Sequence, residues 1–186
     1  MANLLSKIVN GVNGGIVNTI KGAGDITGSV VESVKDITVN TLKETGEFAK
    51  EGIDVPASLI KGAFGGLASI GSTSITSVKG VVKGTVKGFM AEGGKQDAAV
   101  QGTVSQAVES AKDLGNDTGD TAVAAVKGSV DAVGDVGGDT VSALETAVKT
   151  AMETASDLGE DVAKEVKEAL KSGVDGADKI IDSIKK

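Results

Sequence analysis

The sequence predicts an all-α protein of long amphipathic helices with an 11/22-residue repeat, extended or bundled, and not a compact globule. Three observations lead there. Apolar residues recur at steps of three and four along most of the chain, which is the period of a helix and not of a strand. The second half repeats one short motif, at 113–117, 135–139 and 157–161. The 186 residues include three Phe and no Trp or Tyr, although aromatic side chains supply much of the buried area of an ordinary core. An apolar content of 40% is still too high for a solvated, disordered chain.

Residues 1–52 read as a first amphipathic helix, near 3–51. Its stripe runs Leu5, Ile8, Val12, Ile16, Ile20, Ala23, Ile26, Val30, Val34, Ile37, Thr41, Thr45 and Phe48. The tripeptide DIT stands at 25–27 and again at 36–38, one 11-residue unit further on. A break follows at GIDVPAS, 52–58, which holds the only proline, Pro56. Proline suits a first helical turn and not a helix interior.

Residues 53–95 read as a Gly-rich helix, near 56–91. The stretch GAFGGLASIGSTSITSV, 62–78, carries no charge from end to end. Phe64, Leu67, Ile70, Ile75 and Val78 anchor it against a Ser/Thr/Gly face, which makes it the most membrane-seeking part. It runs into VKGVVKGTVKGF, 78–89, with glycine at 80, 84 and 88 and lysine at 79, 83 and 87. At about 98° per residue, Val78, Val82 and Phe89 share one side with Thr85, and the three glycines fall on the far side. Three accounts of that row stand open. Gly80, Gly84 and Gly88 form a close-packing face of the small-xxx-small kind. Or each glycine weakens the helix by about 1 kcal/mol against Ala, so that it forms only against an apolar surface. Or the glycines are simply tolerated inside a helical bundle.

A second break is predicted at AEGGKQD, 91–97, where Gly93 and Gly94 adjoin. Residues 96–186 then read as one long acidic helix, near 96–184. Its repeated motif is DLGND at 113–117, DVGGD at 135–139 and DLGED at 157–161. One apolar column holds Val100, Ala122, Leu144 and Val166. A second holds Val104, Val126, Val148 and Leu170, and a third Val108, Val130, Met152 and Val174. Lysine keeps the same step at 127, 149 and 171. This 22-residue line is two 11-residue units, at about 3.67 residues per turn. A continuous helix of this length is about 135 Å long. Gly115, Gly137 and Gly159 fall on its stripe and are the points at which it kinks or breaks. The paired aspartates lie opposite the stripe, as a solvated face.

Composition removes whole classes of function. The chain has no Cys, His or Arg. Thiolate and imidazole metal sites and His-dependent triads are absent, and the glycines follow helical rather than phosphate-loop spacing. A non-enzymatic protein without cofactor or metal is expected. Residues 1–95 carry ten lysines against eight acids, whereas residues 96–186 carry nine against eighteen. That acidity, with no Arg or stacking aromatics, excludes nucleic acid as a partner. No apolar run reaches the length of a membrane span, and the N-terminus lacks the basic leader of a signal peptide.

Stretches such as GDITGSVVESVKDITVNTLKETG and VKGVVKGTVKGF resemble the 11-residue repeats of perilipins and the Lys/Val/Gly/Thr repeats of synucleins. The resemblance is one of composition and period. It implies a chain that becomes a long helix on lipid droplets or vesicles. The acidic second half departs from the synuclein pattern and points to neutral lipid, because anionic lipid repels it.

Two functions are therefore expected in order. The first is a non-enzymatic protein that coats or binds an apolar or lipid surface, cytoplasmic and peripheral to it. Its contact stripe is Phe64, Leu67, Ile70, Ile75, Val78, Val82, Phe89, Val104, Val108, Val126, Val130, Leu144, Val148, Met152, Val166, Leu170 and Val174. The second is a self-assembling coiled-coil structural protein that forms a tube, stalk or filament, with the chain itself as partner.

Overall fold

Evenly spaced glycines reverse the chain. Gly71, Gly93, Gly115, Gly137 and Gly159 all have positive φ, from 66° to 130°, a region that L side chains avoid. Three of them close the preceding helix in the same way. The N–H of Gly115 donates to the Lys112 carbonyl, and that of Asn116 to the Ala111 carbonyl at 2.8 Å. The same two bonds recur around Gly93 and Gly137; this paired pattern is the Schellman ending of a helix. After Gly115 and Gly137 the next helix starts at once on an aspartate. Asp117 Oδ1 accepts from the Asp120 N–H, and Asp139 Oδ1 from the N–H groups of Val141 and Ser142. The sequence G-N-D-T or G-G-D-T is thus a stop followed by a start.

The computed structural model describes residues 2–22, 26–45, 52–71 and 73–184. The described residues form nine helices: α1 (Ala2–Gly22), α2 (Ile26–Thr45), α3 (Asp54–Ser69), α4 (Ile75–Ala91), α5 (Gln96–Leu114), α6 (Thr118–Asp135), α7 (Thr140–Leu158), α8 (Glu160–Gly173) and α9 (Ala177–Ile184). No described residue is in a strand. Each helix packs on the one two further along, and most also pack on the one that follows. Odd-numbered helices therefore form one layer and even-numbered helices the other, with the core between. This is the connectivity of an α-solenoid, in which each unit meets only its near neighbours. Neighbours within a layer run parallel, because Gly62 lies over Val9 and Gly66 over Asn13.

The structure corrects the predicted helices. The helix expected over 3–51 is two helices that pack on each other, α1 and α2. That expected over 56–91 is α3 and α4. The uncharged 62–78 stretch contains the turn between them, where Gly71 has φ of 66° and the Ser74 hydroxyl accepts from the Ser77 N–H. Pro56 is the third residue of α3 and is buried. The single helix expected over 96–184 is α5 to α9. Asp117 and Asp139, read as part of a solvated helix face, cap helix starts.

The expectation of a chain that is not a compact globule is also overturned. Its accessible surface is 8479 Å², against about 8,200 Å² for a folded monomer of this mass. A scarcity of aromatics does not prevent a core here, because Val and Ala fill a thin one. Predicted stripe positions Ala23 and Phe48 lie outside the described residues, as do the side chains of Ile20, Ile26 and Thr45.

Truncating a start signal separates its energetic role from that of an ordinary surface acid. Asp139→Ala is expected to lower stability by about 1 kcal/mol. Asp113→Ala, on an exposed acid in the last turn of α5, is expected to stay within about 0.5 kcal/mol of the parent. Urea titration followed by circular dichroism measures both, and equal losses would count against the capping role.

Candidate functional site

The apolar stripe that the sequence offers as a contact surface lies mostly between the two layers. Phe64 and Leu67 of α3 are buried, as are Val78, Val82 and Phe89 of α4. Val104 and Val108 of α5, Val126 of α6, Val148 of α7, and Val166 and Leu170 of α8 follow them, with Val174 just beyond. Val130, Leu144 and Met152 are half-buried against the same cluster. Ile70 is half-buried in the α3–α4 turn, and Ile75 is 43% exposed. The structure thus gathers all of the stripe into or beside the interior except Ile75, which faces solvent.

The glycine row of α4 faces α2. A Cβ on Gly84 would lie 2.6 Å from the Val31 carbonyl oxygen and 2.8 Å from Val34 Cβ. One on Gly88 would lie 2.7 Å from Thr38 Cβ and 2.8 Å from the Lys35 carbonyl oxygen. These distances are shorter than a real methyl tolerates, so any side chain there would push the helices apart. Gly80 is buried on the same helix. The contact recurs beyond the predicted row. Gly62 and Gly66 meet α1, Gly102 meets the start of α3, Gly128 meets Lys79 and Val82 of α4, and Gly119 meets Ala169 of α8. Sequence reading overlooked these glycines. The four-residue step from Gly62 to Gly66 was the available signal.

The lysine row flanking those glycines reaches across to α6. Lys79 Nζ lies 2.7 Å from Asp131, while Lys83 and Lys87 lie 2.9 and 3.2 Å from the same Asp135 oxygen. The spacing matches because both helices carry these residues four apart. Hydrogen bonding from the Lys83 ammonium, joined by that from Lys87, outweighs the desolvation of Asp135 and holds its carboxyl below the usual carboxylate value. Beside this ladder an open trough of about 500 Å³ runs along α4 between α2 and α6. Nothing in the sequence signalled the trough, because it depends on which helices become neighbours. Other polar contacts lock turns two helices apart. Gln96 exchanges hydrogen bonds with the backbone of Asp139, and Glu165 Oε1 accepts from the N–H groups of Thr118 and Gly119 at the start of α6.

Among the described residues no three acidic side chains are grouped to hold a metal ion. No described helix is long and apolar enough to cross a membrane. A scan of protein families and a search of curated proteins both find no match to this chain.

Two glycines are expected to respond to alanine with opposite signs. Gly84→Ala destabilises by about 1–3 kcal/mol through overpacking against α2. Gly11→Ala, where a Cβ meets nothing within 4 Å, stabilises by roughly 0.5–1 kcal/mol through helix propensity. Denaturant midpoints decide this, and the same sign at both sites would exclude the close-approach argument.

The pH response of the ladder follows from its sign. A carboxyl with a depressed folded-state value stabilises the fold above its unfolded value and loses that contribution as pH falls through the folded one. Asp135→Asn is therefore expected to be less stable than the parent at pH 7, with the gap closing below about pH 4. A gap that is constant from pH 7 to pH 2 would contradict the ion-pair origin.

Proposed function

We propose that the chain is a non-enzymatic amphipathic-helix protein that binds or coats an apolar or lipid surface, with the bundle as its closed form. The observation that carries this reading is phase. The turn glycines at 93, 115, 137 and 159 keep a 22-residue step, which is six turns at about 3.67 residues per turn. A turn that becomes helical therefore leaves the apolar stripes of successive helices on one line. A stack of antiparallel helices needs a stripe on each helix but does not need those stripes in register along the chain. The interior is also cheap to exchange. Val and Ala dominate it, so each helix gives up little buried area when it trades a neighbouring helix for an alkyl surface.

The acidic second half favours neutral droplets or zwitterionic vesicles over anionic membrane. The protein would act as a peripheral protein of the cytoplasm. Lys127, Lys149 and Lys171 sit at the border of the opened stripe, where their stems lie along the apolar surface and their ammoniums stay wet.

A second reading, self-assembly into a stalk or filament, is favoured by one observation. Gly62 and Gly66 of α3 are covered by α1, whereas a Cβ on Gly11 or Gly14 of α1 meets nothing within 4 Å. A second copy stacked on α1 would extend the array. Sedimentation without lipid separates the two, since only assembly gives a discrete oligomer or polymer.

Opening is measured directly by spin labels on the double variant S105C/K127C, since the chain has no cysteine of its own. The labels start nearer to one another than a continuous helix allows, because Thr103 and Ser129 of the same turns approach to 3.5 Å across the α5–α6 hairpin. They are expected to separate to about 33 Å when the turn becomes helical on zwitterionic vesicles or droplets. A short distance retained at saturating lipid overturns the reading.

A further inference from the structure

The trough beside α4 differs from end to end. Its lining comes from α2, α4 and α6, with Gly80 of α4 between Ile75 and the lysines at 83 and 87. Toward the N-terminus of α4 the lining holds Ile75, 43% exposed, with Thr76 and the Lys79–Asp131 pair, while half-buried Val31 lies further along, against Gly84. Toward the C-terminus it is ionic, with Lys83, Lys87 and Asp135. From Ile75 to Lys87 the trough is about 18 Å long, at 1.5 Å per residue.

The ionic end is short of negative charge. Lys83 and Lys87, with side chains 25% and 20% exposed, share the single carboxylate of Asp135. Lys79 has Asp131 to itself. Glu32, which also lines the trough, is tied to Lys35. These groups leave four ammoniums against three carboxylates, with the excess at two partly desolvated lysines. An ammonium in that position gains from a further oxyanion through charge-assisted hydrogen bonds, and an exposed isoleucine gains from alkyl cover.

We propose that this trough binds a single-chain amphiphile with an anionic head, the head against Lys83 and Lys87 and the chain over Gly80, Val31 and Ile75. Carboxylate and phosphate monoester heads offer the same chemistry. The site belongs to the closed bundle and is independent of whether the interior stripe meets lipid. Asp135 competes with the ligand for both lysines, which makes the two sides of the ion pair separable.

The test is calorimetric titration of the full chain with dodecanoate, dodecyl phosphate, dodecyltrimethylammonium and inorganic phosphate, each below its micellar concentration. One or both dodecyl anions are expected to bind saturably at one site, and the tighter one identifies the head. The variant K83Q/K87Q is expected to weaken that binding at least tenfold, and Asp135→Asn to tighten it at least threefold. Both variants break the same ion pairs, so a mere loss of structure moves them in one direction and cannot imitate opposite signs. The proposal is overturned if neither anion binds or if the trimethylammonium binds as well as the anions. It also fails if inorganic phosphate binds equally, if K83Q/K87Q leaves affinity unchanged, or if Asp135→Asn weakens binding. Repeating the titration on S105C/K127C and finding the labels still close shows that the trough fills in the closed bundle, so its result reads apart from that of the lipid-opening experiment.

Discussion

The close approach of helices two apart in the chain is the constraint on which the architecture rests. At Gly62, Gly66, Gly84, Gly88 and Gly102 the space a methyl group would need is already taken by atoms of the neighbouring helix, backbone among them. Such spacing suits a core of Val and Ala. Short side chains fill a thin layer at crystal-like density, and their dispersion contacts are lost quickly if the helices separate. The same glycines weaken each helix in isolation. A helix that is poor alone and good only beside its neighbour ties secondary structure to packing, so neighbouring helices form together or not at all.

Charge supplies direction where apolar packing supplies cohesion. A Val/Ala seam slides easily by one turn, because its four-residue steps look alike. Lys79, Lys83 and Lys87 on α4 share their four-residue step with Asp131 and Asp135 on α6, so they orient one helix face toward the other without excluding a slip of one turn. Exposed pairs of this kind add little to stability, and Lys87, which already reaches Asp135, would stand in for Lys83 after such a slip. The alignment is fixed instead by contacts that do not repeat along a helix, Glu165 across the start of α6 and Gln96 across the Asp139 backbone. The ladder also borders the trough, since Lys79, Lys83 and Lys87 line it together with Asp131 and Asp135.

Much of this was legible in the sequence, and the remainder shows where periodicity stops being informative. The helical class, the repeating unit and the inward columns headed by Val100, Val104 and Val108 follow from spacing alone. Chain reversal does not. The repeat keeps helical phase through the turns, so Gly115 and Gly137 sit on the stripe as if the helix continued. Only the local chemistry around them, a left-handed glycine followed by a capping aspartate, announces the break. Read as D-L-G-N-D, the motif suggests a polar face. Read from the glycine onward, as G-N-D-T, it is a stop and a start. The repeat also begins well before position 96, since Gly71 and Gly93 already belong to it. The trough was beyond reach for a different reason: Val31, Lys83 and Asp135 come from three helices, and no pattern within one helix reports its neighbours.

The two-layer order has a consequence for how the molecule comes apart. Each helix is secured chiefly by partners no more than two places away, so the first pair holds the last only through those between. Loop-closure costs stay small and folding is correspondingly quick. Heat or denaturant meets a row of loosely coupled units rather than one indivisible body, and such rows melt from their weaker end. Between the intact and the fully unravelled chain there is then a series of partly peeled forms, each exposing one more pair of helices while the rest stays shut.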